Sequence, residues 1–127
     1  MGITVSPRPD YVVQKSITGP TAFPKIFNVP VNQYSFQIQW SSSITLGEFV
    51  VYGSNENPSK SQLPATEAFV PTLTKIPLAS IDVNVAPYDT LDAGMIEVTT
   101  ASAVVWVEYT GAQSGVVSIA FCGKTLG

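Results

Sequence analysis

Ten prolines, at positions 7, 9, 20, 24, 30, 58, 64, 71, 77 and 87, punctuate this 127-residue chain. Proline has no amide proton, and its ring clashes with the carbonyl four residues back, so each one ends or kinks a helix. They interrupt most windows in which a helix could grow, and no segment keeps a 3.6-residue apolar period over three turns. The remaining side chains favour strands. Val, Ile and Thr number 16, 9 and 12, against six Leu. Branched Cβ atoms crowd a helix and fit a pleated sheet.

The clearest strand is Tyr34–Trp40. Tyr34, Phe36, Ile38 and Trp40 point one way, and Ser35, Gln37 and Gln39 the other. Glu48–Gly53 is a strand apolar on both faces, followed by a polar loop from Ser54 to Lys60. A short strand is expected over Glu67–Thr74. Ala79–Val85 alternates, with Ile81, Val83 and Val85 on one side. Pro87–Gly94 reads as a loop and Met95–Thr100 as a strand. Val104–Tyr109 is the most apolar strand and is expected at the centre of a sheet. Thr110–Gly115 reads as a hairpin loop. Val116–Cys122 closes the sheet, with Val117, Ile119 and Phe121 inward. Seven to eight short strands separated by turn signals predict an all-β fold, an antiparallel β-sandwich of jelly-roll type.

Five of the ten prolines fall in the first 33 residues. Proline cannot donate to a ladder, so residues 1–33 are expected to form edge strands or an extended arm beside a sandwich domain at 34–127. The apolar pieces of that arm, Tyr11, Val12, Val13, Phe23, Ile26 and Phe27, are the candidate partner-binding residues. Removal of residues 1–33 is expected to leave the sandwich folded.

The chemistry is narrowed by two counts: no histidine and one cysteine. Zinc sites draw on Cys and His. A Ser-His-Asp or Cys-His arrangement cannot form within this polypeptide. No nucleophile elbow, P-loop or dinucleotide fingerprint occurs, and Ser114 between Gly111 and Gly115 reads as turn chemistry. Asp89 and Asp92 share a loop flanked by Asp82 and Glu97; they suit Asx-type turns better than a calcium site. Glu48, Glu97 and Glu108 fall on strands, and a glycosidase would need two such acids facing one cleft. Trp40, with Phe36 and Ile38 beside it, reads as core; Trp106 reads as core or interface. Cys122 reads as a small sheet residue with only Lys124 as a local cation. No cofactor is expected. A lone cysteine suits synthesis in a reducing compartment.

Six basic and nine acidic residues give a net charge of −3. Arg8, Lys15, Lys25, Lys60, Lys75 and Lys124 are scattered, whereas nucleic-acid binding needs a basic stripe. Polybasic membrane recruitment fails on the same ground. No apolar run reaches the length of a membrane helix, and the first residues show no signal-peptide pattern. Gly2 with Ser6 fits a myristoylation pattern only by chance. Charged residues make up just 12% of the chain, while Ser, Thr, Asn and Gln together number 36. Interface cores are depleted in Lys, Glu and Asp, so a surface this poor in charge points to assembly.

The amphipathic strand ending at Trp40, the run Gly47-Glu48-Phe49-Val50-Val51-Tyr52-Gly53-Ser54-Asn55, the later Trp106-Val107-Glu108-Tyr109-Thr110 and the terminal Gly123-Lys124 occur in a definite order. Over residues 34–124 this order resembles the small β-sandwich virion proteins of tailed bacteriophages, particularly capsid decoration or cement proteins. It departs from them after the Ser54-Asn55 loop, where a tryptophan is often seen and this chain runs through Pro64 to Phe69. The resemblance implies a non-enzymatic protein, made in the host cytoplasm and resident in the virion. Its partners would be the major capsid protein and further copies of itself, with a trimer favoured. Two other readings compete. One is a carbohydrate- or receptor-binding module of a tail or adhesin, using an exposed Trp106, Tyr52 or Tyr88. The other is a hydrolase using Glu97 and Glu108.

Overall fold

The computed structural model of the chain describes residues 3–27, 31–56 and 74–126. Among the described residues nine strands form in the order β1 (Ile3–Ile17), β2 (Thr21–Ala22), β3 (Ile26–Phe27), β4 (Gln33–Trp40), β5 (Glu48–Ser54), β6 (Ile76–Asp82), β7 (Ala93–Thr99), β8 (Val104–Tyr109) and β9 (Gly115–Leu126), with one helical turn α1 (Tyr88–Leu91) between β6 and β7. The strand expected over Glu67–Thr74 lies almost wholly outside the described residues.

Two antiparallel sheets stack face to face. The first runs β1-β9-β4-β7; the second runs β2-β8-β5-β6, with β3 also on β8, beyond β2 along the same side. Counting β2 and β3 as one interrupted strand, eight strands follow a jelly-roll order, changing sheet at every step except from β5 to β6. Both sheets therefore have a central pair, β9 and β4 in one and β8 and β5 in the other. The expectation that Val104–Tyr109 is central holds, and the strand is almost entirely buried.

The alternation of apolar residues explains the stacking. Tyr34, Phe36, Ile38 and Trp40 of β4 share the inner face with Val117, Ile119 and Phe121 of β9 and Ile96 and Val98 of β7. Phe49 and Val51 of β5 and Val105, Val107 and Tyr109 of β8 meet them from the second sheet. Aromatic rings knit the layers: Phe36 and Phe121 lie 5.2 Å apart, Trp40 and Phe49 5.2 Å, and Phe49 and Tyr109 5.0 Å. Each such ring contributes about 1.5–3 kcal/mol of burial.

Residues 3–27 enter both sheets. β1 pairs with β9 along its length, with register shifts between Val5 and Pro9 and between Pro9 and Tyr11, where the prolines interrupt the ladder. β2 and β3 pair with β8, separated by Pro24. Ile17, Phe23 and Ile26 are buried in the core. This stretch therefore behaves as edge strands, and its removal would open the core.

Three further details differ from expectation. The segment from Thr110 to Gly115 joins β8 of one sheet to β9 of the other, so it is a crossover and no hairpin. Val85 does not continue the inward row of Ile81 and Val83; β6 ends at Asp82 and Val85 is half-exposed in the connection. The Pro87–Gly94 loop contains α1, capped at its end by Asp92 in the left-handed conformation (φ 52°).

Candidate interaction face

The inner faces of the sheets are committed to the core, so function has to be sought on the outer faces, the edges and the loops. The outer face of the first sheet follows from its register. Val12 of β1, Ala120 of β9, Gln37 of β4 and Met95 of β7 form one row across all four strands. Gln14, Ser118, Gln39 and Ala93 form the next. On the other side come Cys122, Ser35 and Glu97, then Lys124, Gln33 and Thr99. Among the described side chains, Glu97 and Lys124 are the only charges on this face, and both lie toward one end. The rest is hydroxyl, amide, small or apolar, with Val12 70% and Met95 51% exposed.

The alternation of Ser35, Gln37 and Gln39 marked one strand of this face in the sequence. Four strands sharing it became visible only with the register, because β1, β4, β7 and β9 are far apart in the chain.

The second sheet's outer face is different. Trp106 lies there, on the side of β8 away from the core, yet is only 1% exposed. Its ring is tilted against Tyr52 at 5.9 Å, and the Lys25 ammonium lies 5.4 Å from its centroid. Its indole N–H donates to Glu108 Oε2 at 2.8 Å, and the other oxygen of Glu108 accepts from Lys75 Nζ at 2.9 Å. Lys75 also sits 4.7 Å over the Tyr52 ring. The Glu108 hydrogen bond raises the Lys75 pKa above its ordinary 10.5; partial desolvation opposes the rise, and the charge of Glu108 adds to it. The indole N–H and both Glu108 carboxylate oxygens are thus paired within the cluster. Tyr52 and Tyr88 are half-buried, so neither they nor Trp106 presents a bare ring to a sugar. Trp40 is buried in the core as expected.

Glu97 and Glu108 do not converge. Glu97 points outward from the first sheet and Glu108 outward from the second, so the sandwich of about 10 Å between sheets separates them. Glu48 of β5 lies opposite Asp82 of β6 in the second sheet. Asp82 Oδ1 accepts from the Asn84 amide at 3.2 Å, an Asx turn, while Asp92 ends α1. Among the described residues no group of three or more His, Cys, Asp or Glu is placed to hold a metal ion. Among the described residues no helix is long and apolar enough to cross a membrane.

One end of the sandwich is stapled where two crossovers run side by side, Ser41–Gly47 and Thr110–Gly115. Gln113 Oε1 accepts from the amides of Thr45 at 2.6 Å and Leu46 at 2.8 Å, and its Nε2 donates to Thr45 Oγ1. Tyr109 OH donates to the Leu46 carbonyl at 2.6 Å, and Ser43 Oγ to the Ser114 carbonyl at 2.9 Å. The amide of Val116 donates to Ser41 Oγ. These bonds hold both crossovers in place, with Ser114 in the irregular stretch before β9.

Of the candidate partner-binding residues, Phe23 and Ile26 lie in the core, 1% and 6% exposed, and Val13 packs against it. Val12 is on the outer face of the first sheet. Tyr11 and Phe27 are placed by backbone pairing, opposite Phe121 and Val104. Cys122 lies on the exposed side of β9. Comparison with protein-family models, with curated proteins and with solved structures finds no match to this chain.

Proposed function

We propose that the chain is a non-enzymatic structural protein of a virus particle, a capsid decoration or cement protein that docks on the major capsid protein. The observation that carries this reading is the outer face of the first sheet. It spans four strands, carries two charges among its described side chains and exposes Val12 and Met95. A face of hydroxyls and amides can exchange water for a partner's hydrogen bonds without stripping ions of their hydration, the costly step in burying charge. Jelly rolls serve viral capsids and lectins alike, so the architecture accommodates the reading and does not by itself assign it. A repeated shell supplies what a modest face lacks, since many copies of one weak contact act together. No cofactor, nucleic acid or membrane enters this account.

The test is co-sedimentation with undecorated heads of the phage that encodes the chain. Wild-type protein sediments with the heads. Gln37→Lys and Ala120→Lys, which place a charge at the middle of the face, stay in the supernatant while remaining folded. Wild-type protein that stays in the supernatant at saturating concentration overturns the proposal.

A further inference from the structure

The four sheet edges are protected unequally. An edge strand offers unpaired N–H and C=O groups to any passing strand, and proteins blunt such edges with prolines, bulges, lysines or inward-pointing charges. β1 carries Pro7 and Pro9, two register shifts, and Lys15, which pairs with the buried Val117 and so sits on the core-facing row of an edge strand. β6 carries Pro77 and a register shift against β5. β2 and β3 are two residues each and are divided by Pro24. β7 has none of these devices. Its seven residues, Ala93–Thr99, pair with β4 in unbroken register, and Glu97 is its single charge, pointing away from the core.

A second observation falls on the same side. Of the eight large apolar side chains that are exposed among the described residues, Ile76, Leu78, Val85, Leu91 and Met95 all belong to β6, β7 and their connection. Ile81 of β6 reaches Gly94 of β7, so the two edge strands flank one side of the sandwich. An undefended edge with apolar side chains beside it is what a partner strand needs for main-chain pairing and for burial.

We propose that a second copy of this chain occupies the edge, β7 against β7, antiparallel about a two-fold axis. The sequence of β7 favours that occupant. Centred on Ile96, the pairing matches all seven residues and keeps the inward row continuous, Ile96 against Ile96 and Gly94 against Val98. It sets each Glu97 opposite Met95 of the second copy. Sliding the centre to Glu97 would put two glutamates directly opposite, which is unfavourable. The result is one continuous sheet of eight strands across the pair, with its two charge-poor faces side by side. A closed ring of three through strand pairing would need a second open edge, because rings join unlike patches; β1, β6 and β2–β3 do not provide one. This inference is independent of the capsid reading and replaces the expected trimer with a two-fold pair.

The experiment is light scattering of the full chain during size exclusion, from micromolar to millimolar concentration, with hydrogen exchange of the β7 amides in parallel. The expected result is a mass of two chains and protection of β7 amides that rises with concentration. Met95→Glu sets a carboxylate directly opposite each Glu97 of the second copy and weakens the pair about tenfold or more. Val12→Lys, on the opposite edge strand, leaves it unchanged. Should Met95→Glu fail to fold, the concentration dependence of wild-type β7 exchange decides. A wild-type monomer at millimolar concentration, a three-chain mass, or β7 exchange independent of concentration overturns the proposal. Binding to heads is read separately, so either proposal can fall without the other.

Discussion

Gly47 shows how a single residue fixes the end of the sandwich. Its φ of +107° is rarely open to a residue with a side chain, and a Cβ there would lie 2.8 Å from the Gly111 backbone. Gly47→Ala therefore costs about 2 kcal/mol or more, through strain and a clash between two backbones. A lowered urea midpoint in equilibrium unfolding checks this. Gln113 acts beside it by satisfying two loop amides at once. Gln113→Ala leaves both to water and lowers stability by about 1–2 kcal/mol in the same assay. Titration at the residue scale acts in the alkaline range. Burial raises the Tyr34 pKa above 10.0, and the Glu108 hydrogen bond, with smaller contributions, raises that of Lys75 above 10.5. In both cases the unfolded chain loses its proton first. The associated stability is fully present below the unfolded values and is lost as pH rises through the folded ones. Thermal unfolding should therefore show a lower midpoint at pH 11 than at pH 9, on the scale set by those two pKa values. Lys75 is 47% exposed, so its share is small and salt-sensitive.

At the scale of elements, the first strands decide whether the sandwich exists at all. Ile17, Phe23 and Ile26 fill the core, and β1 flanks β9 over most of its length. Deleting residues 1–27 is expected to abolish cooperative unfolding, seen as loss of the near-ultraviolet circular dichroism of the packed aromatic rings. The sequence suggested a separable arm because its prolines are visible locally, whereas the pairing that recruits it is with β8 and β9, far away in the chain. The same distinction governs the rest. β4, β8 and the inner row of β9 were legible because their alternation is local and strict. Thr110–Gly115 was misread because small residues and glycines suit a hairpin and a crossover equally, and only partner choice separates them. Trp106 was open between core and interface because β8 is apolar on both sides; its partners Lys25, Tyr52 and Glu108 come from three separate strands or loops. The charge-poor face was visible as low overall charge but had no location until four strands were in register.

Across the whole molecule, chemistry-bearing groups are dispersed and contact-bearing groups are gathered. The acids Glu97 and Glu108 are divided by the sandwich, and Glu108 is held by Lys75 and Trp106. Among the described side chains one broad face carries only Glu97 and Lys124, and β7 lacks the prolines and register shifts of the other long edge strands. The account therefore rests on association through a surface. Co-sedimentation with undecorated heads addresses that most directly: wild-type protein is predicted in the pellet at a fixed number of copies per head, with Gln37→Lys left behind in the supernatant. Equal pelleting of the wild type and Gln37→Lys, or no pelleting of either, would contradict it.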